Sequence, residues 1–451
     1  MAALLMALLV PVALANEISF ETPTADARIG VPVTFRTELT AAERPARVEL
    51  VLSSPREEAV TVLVAEVTGS GTTWQATVEL FGHTPPNTVL DYQFRARGLD
   101  GWVTGPQAQV TVVHDRLGWR TVEGPLVRLH WYEGDDAFAQ RALEIGESAV
   151  ARASALLGVT EDEPIDFFIY PNQTDMYEAL GAGTRENVGG QAHAEIRTMF
   201  GLIEPNEINS DWVDTLVAHE LTHLVFDTAT RNSFRSPPRW LNEGVAVYLS
   251  EGYTGAWRQT VEQAAQSGSL IPLDGLAGLF PTPADQFRLA YGESVSAVDY
   301  FVRTFDEERL WQLVRSYARG VSDDEAFLDA TGADLAAFNA AWMGSLGADV
   351  PEPLGPRPAP TGPVPTDWHE QPGPTLEPGV TAVPGTTTAP GATAPAEPAD
   401  TPTPSNPPAA PGSPAAEGDS APLALAAAGV GLLLGLAILI LVIVRRQRRS
   451  V

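Results

Sequence analysis

Residues 423–444 read LALAAAGVGLLLGLAILILVIV, a run without one polar side chain. As a helix rising 1.5 Å per residue it crosses a hydrocarbon core of ~30 Å. Few other folds satisfy the backbone of such a segment while burying its side chains. RRQRRS follows at once and supplies the arginines that stay on the cytoplasmic side. The other end, MAALLMALLVPVALANE, is also apolar. It reaches the small-x-small triplet Ala13-Leu14-Ala15 that suits signal-peptide cleavage, although the usual basic n-region is missing. The two ends predict a single-pass protein of the cell membrane with its bulk outside. They place a signal peptide at 1–15, a transmembrane helix at 421–445 and a cytoplasmic basic tail at 446–451.

The segment before the span also excludes structure. Residues 349–420 are dominated by Pro, Ala, Thr and Gly, as in VPGTTTAPGATAPAEPADTPTPSNPPAAPGSPAAEG. So few large apolar groups cannot bury enough surface to offset ordering, which predicts a disordered linker. It would reach roughly 220 Å as extended polyproline and about 50 Å as a coil. Either length suits a stalk that holds a domain off a bilayer or threads a cell-wall layer. The chain has no cysteine, which removes disulfides and thiolate metal sites. All 28 basic residues are Arg, a usage that points to a GC-rich, bacterial genome. The net charge of −29 argues against a nucleic-acid partner, which would need a basic face.

The folded part therefore falls between residues 16 and 348, and its character changes midway. VPVTFRTEL, ARVELVLSS, AVTVLVAEV, TWQATVEL, LDYQFRARG and AQVTVVH are short runs with period-2 alternation, separated by turn residues. Six or seven strands in this space predict an all-β immunoglobulin-like or fibronectin-like sandwich over 16–116. From 117 to 348, LVRLHWYE and IDFFIYP read as strands flanking the helical DAFAQRALEIGESAVARASALLG, and helical patterns then dominate. An α+β domain is predicted, a small sheet ahead of a helical bundle.

Within it, DWVDTLVAHELTHLVF (211–226) reads as one helix capped by Ser210 or Asp211. His219 and His223 are four apart, so both rings project from one face about a turn apart. That arrangement suits two imidazole nitrogens on one zinc ion. Glu220 lies about 100° round the helix, beside such an ion, where a carboxylate can take a proton from water. The plainer reading is an amphipathic helix that happens to carry two histidines. Zinc needs a third ligand and one open position. PPRWLNEGVAVYLSEG (237–252) opens a second helix in which Glu243 follows His223 by twenty residues.

H-E-x-x-H followed nineteen residues later by N-E-G-x-A resembles the gluzincin zinc metallopeptidases, a clan that includes thermolysin-like proteases and aminopeptidases. HELTH followed by WLNEG is most similar to the bacterial peptidase MA-like domain. The resemblance covers roughly 119–348. It implies zinc (Zn2+) held by His219, His223 and Glu243, with Glu220 as general base. Asn242 either orients a ligand from the second layer or is simply a helix N-terminal residue. LAYGESVSAVDYFVRTF (289–305) resembles the helix that follows the active site in this clan, and Tyr291 matches its metal-facing tyrosine. A phenol there would hold a developing oxyanion; an ordinary core tyrosine is the other reading. GGQAHAEIRTMF (189–200) reads as the strand edge along which a peptide lies. The G-x-M-E-N segment by which large aminopeptidases hold a free N-terminus is absent, and RTMFGLIEPNE (197–207) does not replace it. Asp227 reads as a surface acid and His193 as a surface histidine.

The resulting expectation is a membrane-anchored, exported zinc metallopeptidase acting on peptide or protein substrates. The rival expectation is a metallopeptidase-like module that binds peptide or cell-wall polymer without cleaving it.

Overall fold

The structure, a computed structural model, describes residues 18–56, 59–98, 101–181 and 189–350. The expected signal peptide, linker, membrane helix and basic tail lie outside the described residues. Among the described residues no helix is long and apolar enough to cross a membrane.

The N-terminal part is a two-sheet β-sandwich. Its strands are β1 (Ser19–Phe20), β2 (Thr24–Asp26), β3 (Val33–Thr40), β4 (Val48–Ser53), β5 (Val60–Val64), β6 (Glu66–Ser70), β7 (Thr73–Leu80), β8 (Val89–Arg97) and β9 (Trp102–Thr111). One sheet has the order β1-β3-β7-β6, with β2 also on β3; the other has the order β5-β4-β8-β9. All pairings in both sheets are antiparallel. Alternation turns Leu90, Tyr92, Phe94 and Ala96 of β8 inward. They meet Phe35 and Val78 of the facing sheet in one core. The run AVTVLVAEV, expected as one strand, is two. Buried Ala65 donates its N–H to the Val48 carbonyl (2.9 Å), and the chain then crosses to the other sheet. Val60, Val62 and Val64 of β5 consequently face outward. Alternation alone does not say which face is inside.

The second part opens with β10 (Arg120–Glu123), β11 (Val127–Trp131), α1 (Asp136–Leu157), β12 (Ile165–Tyr170), α2 (Gln173–Leu180), β13 (Gly190–His193) and β14 (Thr198–Leu202). It continues with α3 (Asp211–Thr230), α4 (Arg239–Ser250), α5 (Gly255–Ser267), α6 (Ala284–Ser316), α7 (Asp323–Thr331) and α8 (Leu335–Ser345). The sheet order is β10-β11-β12-β14-β13, with β11, β12 and β14 parallel and β13 antiparallel on the edge. Asp135 caps α1 by accepting from Phe138 N–H, and left-handed Gly158 ends it. Val127, Leu129, Ile165 and Phe167 of the sheet share one core with α1, α3, α4 and α6. Phe168, Tyr170 and Phe200 fill the opposite face. Contacts with the sandwich lie near that second cluster: His114 Nδ1 to Tyr170 Oη (3.3 Å), His83 Nε2 to Ala179 O (2.6 Å), and Asn87 Nδ2 donating to Thr198 Oγ1 (2.8 Å).

The stretch 189–200, expected as one strand edge, is a hairpin. Only β13 is at the edge, because left-handed Arg197 (φ 52°) turns the chain back as β14. The Arg197 guanidinium is anchored 2.6 Å from the buried Glu161 carboxylate, which helps to hold this uncommon conformation. α6 is likewise interrupted at Asp306 (φ 76°), whose carboxylate accepts from Arg309 N–H and caps the continuing turn.

Candidate metal centre

α3 is buried along most of its length between the sheet, α1 and α4, which is why its apolar positions fall on more than one stripe. His219 and Glu220 are buried and His223 is half-buried. α4 crosses α3 at its own first turns and brings Glu243 to the two imidazoles. Its approach to α6 is very close. A Cβ on Gly244 would lie 2.5 Å from the Ser294 carbonyl oxygen, so the glycine of the N-E-G motif is a packing requirement of the two helices.

The three candidate ligands converge. His219 Nε2 and His223 Nε2 are 3.1 Å apart. Glu243 Oε2 lies 3.6 Å from the first and 3.5 Å from the second. Three donors at about 2.0–2.1 Å around a tetrahedral ion would stand roughly 3.3 Å from one another. Glu243 Oε2 has no hydrogen-bond partner although it is buried, a costly state that a cation would relieve. The residues present therefore fit zinc. Among the described residues these three form a group whose ligand atoms all lie within 4.8 Å of one another.

The surrounding side chains set the donor states. His223 Nδ1–H donates to Asn242 Oδ1 at 2.8 Å, leaving the Nε2 lone pair free to face the centre. Burial lowers the His223 pKa to about 4, so the ring is neutral at pH 7. Burial alone would raise the Glu243 carboxyl, but the neighbouring His219 and His223 imidazoles and the Arg239 guanidinium outweigh it and hold the group ionised. Arg239, one turn before Glu243 on α4, donates through Nε and Nη2 to Glu243 Oε1 at 3.1 and 3.0 Å. Sequence reading missed Arg239, although the i, i+4 spacing was visible.

Glu220 lies against β13. A Cβ on Gly190 would come within 3.0 Å of its Cγ, so glycine lets the strand approach. Neither carboxylate oxygen has a normal hydrogen bond. Burial pushes this group up to about 7, with Glu243 adding to the rise and His219 opposing it. Tyr291 is buried, its ring 6.5 Å from the His219 ring. Burial raises the phenol well above its ordinary range, so it keeps its proton. Glu293, a turn-mate of Tyr291 that sequence reading did not single out, accepts from Ile271 N–H at 3.0 Å, and burial raises it to about 8. Asp227 pairs with Arg231, and His193 with Glu195 and Gln191.

A His-Glu-x-x-His helix crossed by a second helix carrying a glutamate defines a metallopeptidase-type domain. Residues 145–348 match the model of the family described as the Peptidase MA superfamily, and this part of the chain is a domain of that superfamily. The chain is 26% identical over 170 residues to aminopeptidase M1-A of Oryza sativa subsp. japonica. That alignment takes in 37% of this chain and spans 18% of the relative's length. An aminopeptidase N family protein from Idiomarina loihiensis superposes over 71% of this chain and 75% of its own, with 12% identity and a TM-score of 0.35. A cycloalternan-degrading enzyme from Trueperella pyogenes superposes over 24% of this chain and 16% of its own, with 16% identity and a TM-score of 0.15.

Proposed function

We propose that the protein is an exported, membrane-anchored zinc metallopeptidase that hydrolyses peptide bonds. The observation that carries this reading is the convergence of His219, His223 and Glu243 at 3.1–3.6 Å beside the buried, unpartnered carboxylate of Glu220. His219 Nε2, His223 Nε2 and Glu243 Oε2 would hold the ion. Bound zinc would supply a Lewis acid and make water acidic enough to ionise near neutral pH.

The chain's own residues do the rest. Glu220 takes the proton of the attacking water and passes it to the leaving amine. A carboxylate lifted by burial is a stronger base than an exposed one, which suits that task. Protonated Tyr291 donates its O–H to the developing oxyanion. Among the described residues β13 is an edge strand of the sheet and runs beside Glu220, so an extended peptide could add there as a further strand. The rice relative is named an aminopeptidase. This chain lacks G-x-M-E-N, which supports cleavage that does not depend on a free N-terminus.

The sandwich orders β1-β3-β7-β6 and β5-β4-β8-β9 follow the two-sheet immunoglobulin layout and support reading it as an immunoglobulin-like appendage. The apolar run at 423–444 with its arginine flank supports the anchor.

The test is digestion of a peptide library by the full-length protein, with products read by mass spectrometry. Cleavage should stop with chelator and return with zinc, and N-acetylated peptides should serve as well as free ones. Zinc binding without cleavage of any library member would favour the binding-module reading.

A further inference from the structure

Arg239 meets Glu243 in a particular way. A guanidinium facing a carboxylate commonly forms a fork, one nitrogen to each oxygen. Here Nε and Nη2 both go to Oε1, while Oε2 is left bare toward His219 and His223. The guanidinium is fixed from several sides. It stacks 4.7 Å over the Phe280 ring, and the residue's backbone N–H donates to the Ala277 carbonyl at 2.9 Å. The same Phe280 ring meets the Tyr291 ring edge-on at 5.4 Å.

We propose that Arg239 is a positioning residue that restricts Glu243 to one ligand oxygen. The inference rests on the metallopeptidase reading. A free carboxylate can grip an ion with both oxygens, and the second would then occupy the position that water and substrate need. With Oε1 committed to two N–H donors, only Oε2 is available. The same positive charge offsets that of Glu243, so the ligand set quenches less of the ion's Lewis acidity. A purely structural ion pair at the start of α4 would do none of this.

The test uses the full-length protein with Arg239→Met and Arg239→Lys, each loaded with zinc and, separately, with cobalt(II). Zinc affinity is read by competition with a chromophoric chelator, and coordination number by the cobalt visible spectrum. Arg239→Met should hold zinc at least as tightly as wild type, because a nearby cation has been removed. Its cobalt band should weaken toward that of a five-coordinate site, and kcat/KM should fall about 10–100-fold. Arg239→Lys should recover the four-coordinate spectrum and part of the activity. Should Arg239→Met fail to fold, Arg239→Gln carries the same expectations. A wild-type cobalt spectrum and unchanged turnover in Arg239→Met would overturn the proposal. So would weaker zinc binding in both Met and Lys variants, the mark of a structural ion pair. A wild type that binds neither metal would refute the metallopeptidase reading itself and this inference with it.

Discussion

Gly244→Ala adds one methyl group where α4 crosses α6. Taken alone, replacing glycine by alanine inside a helix stabilises it by about 1 kcal/mol. The contacts reverse that sign. The new Cβ would stand 2.5 Å from Ser294 O, 2.8 Å from Ser294 C and 2.8 Å from Val298 Cγ2. Two of these atoms are backbone and cannot swing aside, so the helices must part by about 1 Å to reach ordinary contact. Overpacking of this kind costs about 1–3 kcal/mol or more, which against that gain leaves a net loss of up to about 2 kcal/mol or more. The same shift moves Glu243, the adjacent residue, and a misplacement of about 1 Å at a catalytic centre can cost 10²-fold in rate. Gly344→Ala in α8 is the control, because a Cβ there meets nothing within 4 Å and should be neutral or stabilising. Urea unfolding monitored by tryptophan fluorescence and kcat/KM on a reporter peptide read the two effects. If Gly244→Ala proved as stable and as active as Gly344→Ala, the close-crossing argument would be wrong.

Other outcomes follow from the same contacts. Asn242→Ala removes the acceptor that orients His223 (2.8 Å) and should cost about 10–100-fold in zinc affinity or activity, measured by chelator competition and kcat. Glu293, raised by burial from 4.5 to about 8, stabilises the fold relative to its ionised form only at low pH, so stability should fall as pH rises from about 4.5 through about 8. Glu293→Gln should therefore match wild type at pH 4 and exceed it at pH 9, by at most about 5 kcal/mol, in denaturant titrations across that range. Tyr291→Phe should lower kcat about 10–10³-fold while zinc content stays at the wild-type level. Protease added to intact cells should remove the ectodomain and spare the tail; full protection of an accessible cell's ectodomain would reverse the topology.

Much of the architecture is visible in local pattern. The unbroken helical pattern of 211–226 and the proline pair before Arg239 mark α3 and α4 because each signal is local to its own helix. The bringing together of His219, His223 and Glu243 depends on how two helices cross, and only the paired motifs hint at it. What stays hidden depends on pairing between distant segments. AVTVLVAEV alternates without a break, yet Ala65 is where it leaves one sheet for another. GGQAHAEIRTMF contains no glycine or proline at its turn, and the hairpin rests on Arg197 held by Glu161, 36 residues earlier. Arg239 reads as one more arginine until the fold brings it against both Glu243 and Phe280.

The most direct measurement is a paired one on full-length Glu220→Gln: zinc content by elemental analysis, and single-substrate turnover by mass spectrometry. The variant keeps size and shape and removes only the base. The account predicts one zinc per chain in wild type and variant alike, with turnover reduced about 10²–10⁴-fold in the variant. Wild-type turnover in a zinc-loaded Glu220→Gln protein would contradict it.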